Sequence, residues 1–565
     1  MVTAALRPRP HIRLSPARAA FVGVLILDLL VTAFVAQQIV RLRDYPFDAD
    51  EAIHANSGLS LALDLQAGDF GAFFSDFYRQ GFYPPAFAPL KALAFLIFGA
   101  SPLVARLFSL ACLFAAALVI YAAGLKLDRE RGWLIGLGAV GLTLTGQFTL
   151  VTSALVLMEA PGLLISFSLL WAYLHALEQP RAARLALVSL LLLGTFLTKY
   201  TYGLVAVATI VAMEVFSIRR LWQAETRRPA RRIARRWLGL FGPFVLALII
   251  WFAGPNKITD FINYATAQPQ QAWLTLENLI FYPRSIAFHY APSSLFALVT
   301  LAGVVWAATR WRDERLRLLL VYFAIGMLEM AINLPKNPRF IATFVPAAHV
   351  LTGALLAWLA AHWRTGWARA RTGVIAIGVA LAVCLASAAP ALAERFAALP
   401  ALMQASVETE PRVNELAGWI AAQVPATERF FLINPWDQFS EPALVWYLAT
   451  QRPLRFTLPF LPWVHLEPIT AESVEALKNN MRANGATYVV ALEGGPYGAP
   501  IWWEYANALG AELIPIAQQD FIFEQYDVAG WVKQALLTVD GLERAMADGR
   551  YTLHIRALVY RLAQP

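Results

Sequence analysis

The sequence predicts an all-α polytopic membrane domain followed by a C-terminal extracytoplasmic α/β domain, and three observations predict it. Of the 565 residues 58% are hydrophobic and only 15% charged, whereas an ordinary soluble chain is about 25% charged. Apolar runs approaching the roughly 20 residues that cross a bilayer recur from Ala17 to Pro390. Beyond Pro390 to Leu399 the chain turns to mixed polarity with many prolines and no run of spanning length, so the boundary is placed there, giving domains 1–390 and 391–565.

Hydropathy places about eleven spans, at 18–40, 102–125, 132–150, 155–177, 183–198, 201–217, 238–254, 293–309, 317–334, 340–361 and 372–390. Arg7, Arg9, Arg13 and Arg18 precede the first run, which extends to Val40 without a small-residue cleavage signature, so it reads as a retained helix and not a signal peptide. Lysine and arginine test the orientation. Loops placed inside hold about 24 of them, eight between residues 219 and 236 alone; loops placed outside hold Arg41, Arg43, Arg79, Lys91, Lys199, Lys257, Arg284, Lys336 and Arg339. The N-terminus is therefore expected in the cytoplasm, and an odd number of spans puts 391–565 outside. The same distribution accounts for the net charge of +8 without nucleic acid as a partner. Cys112 and Cys384 both fall in apolar segments, lack metal-ligand spacing and read as packing residues.

The first outer loop, Arg41 to Ser101, exceeds a simple connection. Its apolar stretch Ala86 to Gly99, introduced by Tyr83, Pro84 and Pro85, is short for a span and is expected to lie in the outer interface. In the tail, Val413 to Gln423 and Ala471 to Asn484 read as helices, and Arg429 to Ile433 and Tyr488 to Leu492 as strands. No internal repeat and no phosphate-binding glycine loop occurs.

The densest acidic cluster outside is Asp48, Asp50 and Glu51, close to His54. In a helix Asp50 and His54 share a face, with Glu51 about a quarter-turn away. A partly desolvated carboxylate at a membrane boundary can hold a raised pKa and take a proton from a hydroxyl; a solvated polar loop explains the same run more simply. A divalent metal on these residues is the weaker reading, with three ligands and no fourth. Glu159 opens the fourth span two residues before Pro161, where it is either functional or a first-turn acid favoured by the helix dipole. Asp28 and Glu329 lie at membrane depth, where an ionisable group tends to face a polar cavity or a partner.

Positive groups at outer helix ends are few: Arg106, Lys199, Lys336 and Arg339. Each could snorkel to the interface. Together they suit an anion that leaves a reacting carbon, since fixed positive charge stabilises it.

The motifs Asp50, Glu51, Ala52; Tyr83, Pro84, Pro85; and Ala105, Arg106, Leu107 resemble the polyprenyl-phosphate-dependent GT-C glycosyltransferases, specifically family 39, which includes protein O-mannosyltransferases and lipid A aminoarabinose transferases. Glu159 with Pro161 is similar to that group's second acidic motif, Leu197, Thr198, Lys199 to its Leu-Thr-Lys motif, and Arg339, Phe340 with Pro346 to its later Arg-aromatic element. The likeness covers residues 20–360 in order and spacing. Tyr83 departs from it, standing where members commonly carry His or Lys.

The resemblance implies a GT-C-like fold and an inverting transfer from a polyprenyl-phosphate-sugar donor to a lipid, glycan or protein acceptor at the outer membrane face, and the arginine- and alanine-rich, lysine-poor composition suggests a bacterial inner membrane. The same resemblance implies Asp50 as general base, Glu51 or Glu159 positioning the acceptor or sugar, and Asp48, His54 and Tyr83 about the same groups. Lys199, Arg339 and Arg106 are then expected on the phosphate. No cofactor is expected, and a divalent metal stays open. A transporter or lipid flippase, or a scaffold whose outer domain binds cell-wall polymer, are the alternatives.

Overall fold

The computed structural model describes residues 15–43, 45, 47, 49–80, 83–224, 229–254, 256–266, 275–332, 336–363, 371–405, 413–425, 428–433, 441–451, 470–483, 485–494, 507, 509–525 and 551–563. Asp48 lies outside them. In chain order the helices are α1 (Pro16–Arg41), α2 (Ala49–Gln66), α3 (Phe70–Arg79), α4 (Ala88–Phe98), α5 (Pro102–Leu127), α6 (Gly132–Leu144), α7 (Gln147–Ala154), α8 (Glu159–Glu178), α9 (Ala182–Phe196) and α10 (Tyr200–Ala224). They continue as α11 (Pro229–Phe252), α12 (Lys257–Thr266), α13 (Leu276–Ser285), α14 (Ser294–Thr309), α15 (Glu314–Ile332), α16 (Val345–Trp363) and α17 (Arg371–Ala405). The tail adds α18 (Val413–Gln423), β1 (Phe430–Ile433), α19 (Glu441–Gln451), α20 (Ala471–Ala483), β2 (Tyr488–Gly494), β3 (Leu513–Gln525) and β4 (Tyr551–Leu562).

The chain forms two compact units. The first comprises Met1–Gln37, Tyr78–Phe87 and Leu107–Leu399; the second comprises Gln38–Phe77, Ala88–Arg106 and Pro400–Pro565. The tail unit begins at Pro400, just past the expected boundary of Pro390 to Leu399, and two segments of the first long loop, Gln38–Phe77 and Ala88–Arg106, group with it. The physical reason is aromatic packing within the second unit: Trp446 of α19, 1% exposed, meets Phe47 at 5.0 Å and Phe95 at 5.4 Å between ring centroids.

A helix stands at each expected span. Among the described residues six are long and apolar enough to cross a membrane: Pro16–Arg41, Pro102–Leu127, Glu159–Glu178, Tyr200–Ile218, Ala230–Phe252 and Val345–His362. The protein is a multi-pass membrane protein. The run 132–150, expected as one span, is instead two helices, α6 and α7, bent by 68°. The cause is local. Thr143 and Thr145 hydroxyls donate back to the carbonyls of Ala139 and Leu142, both at 2.8 Å, a pattern that bends helices, and Gly146 then turns extended at φ −69°, ψ 117°. The freed Thr145 carbonyl accepts from Arg395 Nη1 at 2.7 Å.

Small residues let helices of the first unit approach closely. A Cβ on Gly124 of α5 would meet the backbone of Gly136 in α6 at 2.5 Å, so neither position admits a side chain without separating the pair. Polar ties hold the bundle elsewhere. Glu214 of α10, 1% exposed, takes both Arg236 Nε and Nη2 of α11 at 2.7 Å and the Tyr173 hydroxyl of α8 at 2.7 Å. Lys126, Glu178 and Arg315 link the ends of α5, α8 and α15, each cation 3.2 Å from the carboxylate.

Among the described residues of the second unit a four-stranded sheet has the order β1-β2-β4-β3, with β1 parallel to β2 and the remaining pairs antiparallel. Phe431, Val489, Ala491 and Leu558 on one face pack against Val474, Leu477 and Met481, the apolar stripe of α20. β1, β2, α18 and α20 sit at the runs expected from the tail sequence, whereas β3, β4 and α19 were not expected there.

Candidate active site

Sequence-predicted residues fall into a set in each unit. In the second unit Asp50 and Glu51 form the first turn of α2, where the helix dipole favours acids. Glu51 is fully buried and bound bidentately by Arg106, Nε to Oε1 at 2.9 Å and Nη2 to Oε2 at 2.8 Å. Arg106, also fully buried, donates Nη1 to the Leu42 carbonyl at 2.7 Å and lies over the Phe47 ring. One guanidinium thus ties the end of α1 to the start of α2. Arg106 is not placed at an open mouth as its position in the sequence suggests, and Glu51 is held by a cation instead of facing solvent.

Asp50, by contrast, is only half-buried. His54 is 5% exposed, and its backbone carbonyl accepts from Lys91 Nζ and from the Ser57 hydroxyl, the latter at 2.7 Å. Lys91 of α4 is itself 3% exposed, so α4 anchors the turn of α2 that follows Asp50.

In the first unit four motifs come together. Glu159, 3% exposed at the first turn of α8, has Oε1 3.8 Å from Lys199 Nζ, an ion pair too long for a tight hydrogen bond. Lys199 sits in the turn between α9 and α10, its ammonium 5.3 Å from the Tyr202 ring and 4.9 Å from the Phe340 ring. Two aromatic faces and a carboxylate hold the cation while leaving its side chain 15% exposed. Gly162 is required beside it, because a Cβ there would meet the Tyr202 ring at 2.4 Å. Tyr83, Pro84 and Pro85 reach the same turn: the next residue, Ala86, donates its N–H to the Leu197 carbonyl at 2.9 Å.

Arg339 lies on a 3-10 turn, Pro338–Ile341, capped by Asn337, whose Oδ1 accepts from the Arg339 N–H at 3.0 Å. Its guanidinium is 5.4 Å from the Phe340 ring that also contacts Lys199. The fully buried Tyr290, at the end of a π turn (Ile286–Tyr290), donates its hydroxyl to the Pro338 carbonyl at 2.7 Å. Burial, with the Glu159 and Tyr282 charges adding, pushes the Tyr290 phenol well up, so it is a donor throughout the working pH range. Lys336 serves α15 instead, donating to the carbonyls of Met330 and Ala331 at 2.8 and 2.9 Å.

Sequence reasoning missed Tyr202, Tyr290 and Lys257. Tyr202 was within reach, one helical turn after Lys199; nothing local marks Tyr290. Lys257, 2% exposed, donates to the Gln80 carbonyl at 3.0 Å and lies 4.1 Å from the Trp251 ring, steadying the chain ahead of Tyr83. Of the two acids at membrane depth, Asp28 is fully buried on α1 with Thr32, one turn along, as its side-chain neighbour, and Glu329 is half-buried on α15. Among the described residues no three His, Cys, Asp or Glu group as metal ligands.

No protein-family model matches the chain, and no curated protein sequence matches it. Solved structures do. ArnT from Cupriavidus metallidurans in the apo state matches at TM-score 0.54 and 14% identity, over 97% of this chain and 100% of that one. The same enzyme bound to undecaprenyl phosphate matches at 0.52 and 13%, over 96% and 99%. The archaeal oligosaccharyltransferase AglB from Archaeoglobus fulgidus, in complex with an inhibitory peptide and a dolichol-phosphate, matches at 0.50 and 16%, over 82% and 69%. Over nearly its whole length, then, this chain has the fold of these membrane enzymes, the GT-C fold that its motifs resemble.

Proposed function

We propose that the protein is a membrane glycosyltransferase that moves a sugar from a polyprenyl-phosphate donor to an acceptor nucleophile on the extracytoplasmic side, with inversion. The observation that supports this most is the Lys199 site, a partly exposed ammonium held between Tyr202 and Phe340 with Arg339 on the adjoining turn. Such a pair of cations suits a phosphate monoester that leaves with growing negative charge. ArnT bound to undecaprenyl phosphate and AglB with dolichol-phosphate support the donor class by analogy.

In this reading Asp50 takes the proton of the acceptor hydroxyl as its oxygen bonds to the anomeric carbon. The bond from that carbon to the phosphate oxygen breaks, and the electron pair departs with the phosphate to Lys199 and Arg339. Glu159 holds the Lys199 ammonium in place, and Tyr83, His54 and Asp48 contribute to the acceptor or sugar. Glu51 and Arg106 act together as positioning residues for Asp50, one residue away on the same turn; a phosphate role for Arg106 is not carried forward, since its guanidinium is wholly buried on Glu51 and Leu42. The N-terminus is assigned to the cytoplasm of a bacterial inner membrane, and 391–565 to the outer side.

The test is transfer of radiolabelled sugar from polyprenyl phosphate by purified protein, in wild type and Asp50→Asn. Product from the wild type and none from the variant is expected. Uptake of label into proteoliposomes without product would replace the enzyme by a transporter.

A further inference from the structure

A second cavity lies in the first unit, lined by none of the residues assigned to the reaction. Between the connection from α13 to α14 and the helix α17 is a cavity of about 350 Å³ lined by Phe288, Ser293, Ser294, Leu295, Ser387 and Arg395. That volume is near the lower end of small-ligand pockets, which span about 300–1,000 Å³, and suits a headgroup. Arg395 donates Nη1 to the Thr145 carbonyl at 2.7 Å and Nη2 to the carbonyls of Phe288 and Ala291 at 3.0 and 2.9 Å. These acceptors are neutral. Among the described residues no carboxylate pairs with Arg395 and its Nε–H has no partner, while the neighbouring Glu394 is exposed.

Hydroxyls and a helix start complete the wall. Ser293 and Ser387 lie 2.9 Å apart through their Oγ atoms, and Ser293 caps α14, sixteen residues long, so the unpaired first-turn N–H groups and dipole add to the positive field. The field is felt nearby: beyond its own burial, His289 is held below the usual histidine range by Arg395 and Arg284. An apolar track begins in the cavity itself. Leu295 lines it, and Leu298, Leu301 and Val305, 62%, 58% and 55% exposed, continue down the same side of α14.

We propose that this cleft binds the phosphodiester headgroup of an anionic membrane lipid, with Arg395 as its counter-ion and the acyl chains along the exposed stripe of α14. A free phosphate would use the guanidinium and the helix start but gain nothing from that stripe, and the Ser387 hydroxyl already donates to the Cys384 carbonyl at 2.8 Å. A zwitterionic lipid would bring its own cation to a site that already holds an unneutralised one. The site stands independently of the glycosyltransferase reading.

The experiment is native mass spectrometry of the purified full chain exchanged into equal amounts of dioleoyl phosphatidylglycerol and dioleoyl phosphatidylcholine. Wild type is expected to retain phosphatidylglycerol by about tenfold over phosphatidylcholine, the size of one charge-assisted hydrogen bond. Arg395→Gln and Ser387→Asp are both expected to bring retention to parity. Arg395→Gln also removes the ties to three carbonyls, so if it does not fold, Ser387→Asp, which places an anion in the cavity and leaves those ties, decides alone. Wild type without a preference, or a preference unchanged in the folded variants, overturns the site. Displacement of the retained lipid by inorganic phosphate at equal concentration overturns the lipid as its occupant.

Discussion

Arg106 and Glu51 form a bidentate ion pair from which solvent is wholly excluded, with Nε to Oε1 at 2.9 Å and Nη2 to Oε2 at 2.8 Å. The pair joins residues 55 apart in sequence at the turn that presents Asp50. Buried pairs of this kind add little over apolar packing, but removing one partner strands a buried charge, at a cost of about 3–5 kcal/mol. Arg106→Ala is therefore expected to lower the thermal midpoint in detergent sharply. Arg106→Lys is expected to recover only part, since a point charge cannot match the fork geometry. A midpoint unchanged in Arg106→Ala would remove the structural role.

Asp50 and Glu51 are separated by what each mutation should leave intact. Asp50→Asn is expected to reduce turnover by about 10²–10⁴-fold, the usual contribution of a general base, with the thermal midpoint of wild type. Glu51→Gln is expected to lower activity and midpoint together. The reverse pattern, a stable Glu51→Gln without activity beside an active Asp50→Asn, would exchange their roles.

Lys199→Gln and Arg339→Gln are each expected to weaken donor use by about 10–100-fold in kcat/KM, from the loss of a charge-assisted hydrogen bond worth about 1.5–3 kcal/mol. Tyr290→Phe deletes only the hydroxyl that holds the Pro338 carbonyl. It is expected to cost about 1 kcal/mol in stability and to affect activity less than Arg339→Gln does. Kinetics with donor varied at saturating acceptor provide the check.

Lys257 supplies a pH dependence of stability. Burial, partly offset by Asp260, holds its ammonium down to about 8 from an ordinary value of 10.5. Between those two pH values the unfolded chain keeps a proton that the folded chain has lost, so stability is expected to rise with pH across that window. Below it the folded protein bears the whole cost of the buried cation. Melting curves collected from pH 7.5 to 10.5, an interval set by about that pair of values, should show this slope in wild type and lose it in Lys257→Met.

Local signals were legible where chemistry is local. Apart from 132–150, each expected span became a single helix, α18 matches Val413 to Gln423 residue for residue, and the strand-like runs of the tail are β1 and β2. The bend between α6 and α7 was not legible, because hydropathy averages over Thr145 and Gly146 while the break depends on hydroxyls donating to carbonyls and on a distant Arg395 taking up the freed one. Glu159, Lys199, Tyr83 and the Arg339 turn were each visible as short motifs, and their gathering around the aromatic faces of Tyr202 and Phe340 is a property of helix packing alone.

Composition and periodicity by themselves determined that this chain crosses a membrane repeatedly, since the transfer of apolar side chains is additive along the sequence. Which charges are spent on the scaffold and which remain for a ligand was decided only by tertiary structure. Arg106 and Lys199 are both cations near helix ends. One is buried on a carboxylate and carbonyls, the other caged by aromatic rings and partly open. Electrostatic energy depends on the distance to a partner and the loss of water around it, and neither quantity exists until the helices have packed.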